Sequence, residues 1–306
     1  MASLAIAMPA ARWQLRRPLG RDAVFYLFAL PFAALTIVFG LWPILLSIEV
    51  SLTASATALR PSPSFVGFAN YAAILADPVF RASLARTLLY TALAVAANVG
   101  FALLYALLLD SALIGRGRVL FKLAVFLPVV TPDIAGYVVW RWLYDQSFGA
   151  INAALHLLGL PAFGGIASLN TAMLAILLAE LWHHAGFYVL IFVANLAVCD
   201  RALSEAADID GASPWRKFVS VVLPQLRPAI TINVVYALIQ FLKTFSVVVV
   251  MTKGGPNDAT NFVSYAAWQM FDQGDYGRAT AMATVLFGVV MLAGLGAYAA
   301  SERGRA

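Results

Sequence analysis

The chain has 306 residues, of which 62% are hydrophobic and 11% charged, and a formal net charge of +5; its mean hydropathy is +0.85. A soluble domain carries about 25% charged residues, so this composition excludes a water-soluble enzyme and requires surfaces that face lipid or other membrane protein. Cys199 is the only cysteine, which excludes an intrachain disulfide and points to no redox role.

Residues 1–22 form a predicted cytoplasmic segment. Its short apolar patch, Leu4 to Ala10, precedes Arg12, Arg16, Arg17 and Arg21, the reverse of a secretory signal, so the first span is expected to be an uncleaved anchor. Six transmembrane helices are predicted, at 23–50, 87–109, 119–142, 169–198, 229–251 and 279–300, followed by a cytoplasmic tail at 301–306. The stretch 87–109 contains no charge and as a helix is about 35 Å long, enough for a hydrocarbon core of about 30 Å. Continuous apolar runs, without period-2 alternation, favour helices over a barrel. The fold class is therefore an all-α integral membrane protein in one membrane domain, 23–300. Pro31, Pro43, Pro128 and Pro132 fall inside spans and are expected to kink them.

Basic residues orient these spans. Arg12, Arg16, Arg17, Arg21, Arg116, Arg118, Lys122, Arg201, Arg216, Lys217, Arg227, Arg303 and Arg305 lie on one side; Arg60, Arg81, Arg86, Arg141, Lys253 and Arg278 lie on the other. The positive-inside rule places both termini and the loop between spans four and five in the cytoplasm. The net positive charge is thus topological, with no nucleic-acid partner implied. That cytoplasmic loop reads Glu205-Ala206-Ala207, three residues, Gly211, nine residues, then Val221-Val222-Leu223-Pro224. Two alanines on a short helix let another protein come close, a glycine supplies a turn, and Leu-Pro closes the loop.

This spacing resembles the EAA loop of ABC importer permeases, by which a membrane subunit docks onto its ATPase. The resemblance extends along the chain. Leu30-Pro31, Trp42-Pro43, Phe65 to Tyr71, Leu127-Pro128, Trp140 to Tyr144, Phe148 to Asn152 and, above all, Met251-Thr252-Lys253-Gly254-Gly255-Pro256 look like the branch that carries maltose and other oligosaccharides, polyols and glycerol-3-phosphate. Two departures stand out: Val198-Cys199-Asp200 replaces the usual Ile-Pro before the coupling loop, and the outer loop 53–86 lacks the inserted domain of maltose-type permeases. The family implies a bacterial or archaeal inner-membrane location, a second homologous permease, two copies of an ABC ATPase and an extracytoplasmic solute-binding protein, besides surrounding membrane lipid. No Gly-x4-Gly-Lys-Ser/Thr phosphate loop occurs in the chain. ATP and Mg are therefore expected on the partner ATPase, with no cofactor, metal or catalytic residue here. Within the loop the family pattern makes Glu205, Ala206, Ala207, Asp208 and Gly211 the ATPase contact, the plain alternative being that Glu205 caps its helix and faces water.

A polar path is legible by depth. Asn233, Tyr236, Gln240, Lys243 and Thr244 form a stripe along the fifth span, and a charge facing lipid near mid-bilayer costs about 3 kcal/mol or more. Lys243, Asp133 and His184 each lie fifteen residues from a cytoplasmic marker, Pro228, Arg118 and Cys199 respectively, about 22 Å up if the helices are straight. Three polar groups at one level suggest a site, or alternatively an Asp133 to Lys243 ion pair that holds helices together. The resemblance assigns sugar contacts to His184 and Phe187, then to Ala237, Gln240, Phe241 and Thr244. Phe241 and Phe187 would stack on the sugar while Gln240, Thr244 and His184 hydrogen-bond it. His183 and His184 point about 100° apart with no third ligand at helical spacing, so no metal site is expected.

The function expected is that of a permease subunit importing a sugar, polyol or sugar derivative by ATP-driven alternating access. The rival is an ion-coupled secondary transporter using Asp133 and Lys243. Topology is directly testable: with Cys199 replaced by Ser, a cysteine at Ser213 should react only from the cytoplasm and one at Asn257 only from outside. The reverse pattern contradicts the orientation.

Overall fold

The computed structural model describes residues 19–55, 62–111, 115 and 117–303; Arg12, Arg16, Arg17, Arg60, Arg116, Arg305 and most of the 1–22 segment lie outside these. The chain divides into two compact units, Met1–Glu49 and Val50–Ala306. In the first, α1 (Leu19–Leu35) and α2 (Trp42–Ser51) are joined by a widened π stretch, Thr36–Leu41. That stretch ends just before Pro43, whose ring and missing N–H disturb an α-helical register. Pro31 lies inside α1, and Thr36 and Ser47 hydroxyls donate back to the carbonyls of Phe32 and Pro43.

The second unit opens on a two-residue ribbon in which β1 (Thr53–Ala54) pairs antiparallel with β2 (Ser64–Phe65). After α3 (Ala69–Ala76) comes the longest helix, α4 (Pro78–Asp110). It begins well before residue 87 because Asp77 caps it, accepting from Val79 N–H at 2.8 Å, and Pro78 occupies the first turn. Then follow α5 (Arg118–Val130), α6 (Asp133–Leu143), α7 (Ala150–Leu157) and α8 (Ala172–Leu196). The loop after α8 carries α9 (Arg201–Ile209), α10 (Pro214–Lys217) and α11 (Leu223–Gln225) and leads into α12 (Arg227–Leu242). α13 (Val263–Asp272) and α14 (Tyr276–Arg303) complete the unit.

By length and apolarity four helices can cross a membrane, or six if each of two bent pairs is one span. The first bend falls where a kink is expected, at Pro132. α5 and α6 meet at 108°, because Pro132 disfavours helix at Thr131 and cannot donate to the preceding turn. Pro214–Gln225 and α12 meet at 67°. A further break interrupts the expected 229–251 helix: α12 stops at Leu242, Lys243 and Thr244 donate only to carbonyls three residues back, and helix returns at 246, widening into a π stretch at Val248–Thr252.

The core of the second unit lies where α4, α8 and α12 pack together. Ala94, Ala102, Ala106, Ala175, Ala179, Ala229 and Ala237 are buried there beside Tyr90, Tyr188, Phe192 and Phe241; small residues let the backbones approach closely, as membrane helix packing requires. A smaller cluster of Ile74, Phe80, Val263, Ala281 and Met282 ties α3 and α4 to α13 and α14. The tightest approach joins α5 to α8, where any Cβ on Gly186 would overlap the Val125 carbonyl. Gly186→Ala should therefore cost about 1–3 kcal/mol by overpacking, read as a lower thermal midpoint of the purified protein. Gly100→Ala, where nothing lies within 4 Å of the added carbon, should be neutral or slightly stabilising.

Candidate functional site

Two sites emerge, a self-contained loop and a polar cavity. The loop begins at Asp200, whose side chain caps α9 by accepting from Ala202 N–H at 2.9 Å, while its own N–H donates to Gln225 Oε1 at 2.9 Å. Entry and exit are thus tied together without Ile-Pro. α9 ends in a Schellman motif: Ala212 N–H bonds the Ala207 carbonyl, Gly211 N–H bonds that of Asp208, and Gly211 has φ +70°. Nothing crowds Gly211, so the need for glycine is conformational alone. Asp208 forms a 2.7 Å ion pair with Lys217, which fastens α9 to α10.

Glu205 and Ala206 are exposed on α9 and Ala207 is half-buried. The same loop carries exposed apolar side chains that the motif alone did not point to: Ile209, at the end of α9, is 87% exposed and Trp215, on α10, 73%. Such a face in contact with water marks an interaction surface. Cys199, at the start of this loop, is half-buried; burial and then the Asp110 charge push its thiol up from the ordinary value, leaving little thiolate to react.

The second site is a cavity of about 220 Å³ lined by Asp133, Tyr137, Glu180, His184, Gln240, Lys243, Thr244, Phe245 and Ser246. It lies at the two breaks: Asp133 opens α6 just after the bend, and Lys243 to Phe245 form the gap after α12. Of the expected path residues, Asp133, His184, Gln240, Lys243 and Thr244 are brought together here. Ala237 and Phe241 are not, being fully buried in the core with Phe241 edge-on to Tyr90 and His184. Phe187 stacks on Tyr236 at 4.6 Å and is likewise absent from the lining. In this chain Phe241 is buried against neighbouring helices, while Phe187 is half-buried.

The cavity's polar framework centres on Glu180, a residue the depth count passed over. It is 4% exposed and accepts from Tyr137 Oη at 2.7 Å and Tyr90 Oη at 3.5 Å, with His184 Nε2 3.8 Å away. One turn along, Asp133 Oδ1 pairs with His183 Nε2 at 2.9 Å. These two rungs dock α6 on α8. The expected Asp133 to Lys243 ion pair is not formed: Asp133 is taken by His183, and among the described residues no carboxylate lies within 4.0 Å of Lys243 Nζ. The reason is the helix break at Lys243, which ends the regular stripe. Glu180 was detectable from sequence as an acid within an apolar span, one turn before His183 and His184. Beyond this cavity, the turn after Thr252 is held by Thr260 Oγ1, 2.7 Å from Thr252 Oγ1 and 2.8 Å from the Gly255 carbonyl.

Residues 115–305 match the family of binding-protein-dependent transport system inner membrane components. The chain is 32% identical over 266 residues to the trehalose/maltose transport system permease protein MalF of Thermococcus litoralis, covering 87% of this chain and 89% of that protein. It is 34% identical over 251 residues to the sn-glycerol-3-phosphate transport system permease protein UgpA of Yersinia pseudotuberculosis, covering 80% and 82%. A bacterial ABC transporter involved in the import of the acidic polysaccharide alginate has a chain of similar fold, with TM-score 0.80 and 22% identity, covering 93% of this chain and 96% of that one.

If Glu180 organises the cavity, its bond to Tyr137 carries measurable energy. Tyr137→Phe leaves a buried carboxylate short of a donor and Glu180→Gln weakens the acceptor, each expected to cost about 1–3 kcal/mol. In a double-mutant cycle on thermal stability the two should couple by about 1 kcal/mol or more; additivity contradicts the network.

Proposed function

The chain belongs to the family of binding-protein-dependent transport system inner membrane components, and on that footing we propose that it is the permease subunit of an ABC importer moving a sugar, polyol or sugar derivative into the cytoplasm. In this reading α5 with α6 forms one span and α12, continued past its gap to Thr252, forms another, giving six with both termini inside. The subunit works with a second homologous permease, two ABC ATPase subunits that hold ATP and Mg, and an extracytoplasmic solute-binding protein. The carbohydrate class is supported by relatives named for trehalose/maltose and for sn-glycerol 3-phosphate.

The observation that carries the proposal is the loop 200–225. Its helix α9 displays Glu205 and Ala206, the loop also exposes Ile209 and Trp215, and it is braced by a Schellman turn, an ion pair and the Asp200 to Gln225 bond. A rigid, partly apolar element at the ends of α8 and α12 can transmit an ATPase's closure to both helices. Those two helices, with α6, line the cavity, so movement at the loop changes which side the cavity faces. Asp208 serves the loop's own rigidity through Lys217, which leaves Glu205 as the polar group free to meet the ATPase. The ion-coupled rival, with Asp133 and Lys243 as a proton relay, accounts for neither the Glu205 to Pro224 spacing nor the family match over residues 115–305.

Two substitutions test this reading. Gly211→Val forces a β-branched residue into a left-handed conformation, costing about 1–2 kcal/mol or more, and Glu205→Lys reverses the exposed charge. Both should abolish or strongly reduce ATP-dependent uptake and loosen ATPase retention on purification, while membrane insertion is unchanged. Normal uptake with full retention in both variants contradicts the assignment.

A further inference from the structure

We infer that a cleft between α4, α5 and α8 holds an acyl chain of an anionic glycerophospholipid, whose phosphate rests on Arg118 and Lys122 at the cleft's mouth. The cleft has a volume of about 290 Å³ and shares no lining residue with the polar cavity. Phe101 and Tyr105 of α4, Ala124 and Val125 of α5, and Trp182 and Ala185 of α8 line it. Val125 and Ala185 are buried and form its floor, while Phe101 and Trp182 are exposed at its rim. The hollow exists because alanines stand at 124 and 185. Beneath it α5 and α8 meet backbone to backbone, at the Val125 carbonyl and Gly186. The Tyr105 hydroxyl is satisfied within the chain, donating to the Phe121 carbonyl at 2.8 Å, so the slot asks for an apolar occupant.

Exchanging one hydrocarbon surface for another inside a bilayer gains little, so size and the charge at the mouth select the occupant. A single helical turn, about 10 Å across and about 5.4 Å high, fills roughly 420 Å³. That exceeds the cleft, whereas an extended acyl chain is thinner. The charge is one-sided: residues 98–130 contain Asp110 as their single acid against Arg116, Arg118 and Lys122. Arg118 lies seven residues before Val125 and so on the same face of α5, about 10 Å nearer the helix start. Its Nη2 donates to the Ser111 carbonyl at 3.2 Å, which places the guanidinium where α4 and α5 part and leaves further N–H donors for a ligand. Lys122 follows Phe121, one turn below the Val125 wall. Both basic side chains are exposed, and among the described residues neither has a carboxylate within 4.0 Å. The Asp110 charge is felt instead at Cys199. In the orientation proposed above this mouth meets the cytoplasmic leaflet. Basic residues beside a pocket between membrane helices recognise anionic headgroups there, and their bonds to phosphate are charge-assisted. A zwitterionic lipid, carrying its own cation, gains less. Because α5 leads into the bent α6, the bound lipid braces the half-span that borders the polar cavity.

The experiment uses the complex purified through this subunit, in nanodiscs of phosphatidylcholine. The probes are phosphatidylglycerol and phosphatidylcholine, each with a diazirine on one acyl chain, added at equal low mole fraction; adducts on this chain are mapped by mass spectrometry. This readout does not depend on what the protein transports. Adducts are expected in 101–105, 121–125 and 178–185, with the phosphatidylglycerol probe giving about 10-fold or more the yield of the other. Arg118→Gln with Lys122→Gln should bring the two yields together, and Arg118→Lys with Lys122→Arg should keep them apart. Ala124→Phe, which fills the cleft from an exposed position, should lower both. Equal yields in the unaltered protein, adducts only outside the cleft, or a preference untouched by neutralising both basic residues overturns the inference. So does crosslinking of Ala124→Cys to another protein subunit, which makes the cleft a protein interface. The comparison of the two probes on the unaltered protein decides the matter even where a variant fails to assemble.

Discussion

A carboxylate buried among membrane helices must be given hydrogen-bond donors, and the second unit is arranged around how Glu180 obtains them. One donor comes from α4 as Tyr90, one from α6 as Tyr137, and His184 lies a turn further along α8. Stripping such a group of one partner costs more than the bond itself returns, so the three helices are held in register by a constraint that apolar packing alone does not impose. The alanine-lined contacts of α4, α8 and α12 bring the backbones close; the Glu180 network decides which faces meet.

The same constraint explains why the breaks fall where they do. Irregular backbone at membrane depth is tolerated only where it borders protein or a wet cavity. The bend at Thr131 and Pro132 and the gap at Lys243 to Phe245 both border the polar cavity. α6 stays docked through Tyr137 and Asp133 after its chain direction turns by 108°. A half-helix fastened by two polar rungs is a discrete element that can move as a body, which is the kind of unit a transport cycle requires.

Much of this was legible in the residues. The spacing from Glu205 to Pro224 located the loop and its turn at Gly211, because a left-handed position leaves a glycine signature. Pro132 marked the first break for the same local reason. The break at Lys243 was hidden: neither glycine nor proline marks it, and Gln240 to Phe245 read as helix by composition. Depth counting nevertheless brought Asp133, His184 and Lys243 to one site, although the straight-helix premise fails for Asp133, which lies beyond the bend. Glu180 lies nineteen residues before Cys199, a turn away from the level that Asp133, His184 and Lys243 share, so only its charge within an apolar span marks it. Phe241 illustrates the opposite difficulty: its helical face was identified, but whether an aromatic ring meets a solute or a neighbouring helix is set by tertiary packing, here by Tyr90 and Tyr188.

In the function proposed above, the cavity at the two breaks is the transport path and changes sides with the nucleotide state of the ATPase. Ser246 lines that cavity and is exposed, so the direct measurement is the reaction of a small charged thiol reagent with Ser246→Cys in a Cys199→Ser background, in the assembled complex, nucleotide-free and after vanadate trapping. Labelling is expected from one side of the membrane in the first state and from the opposite side in the second. Labelling from the same side at the same rate in both states, or from neither side in either, contradicts it.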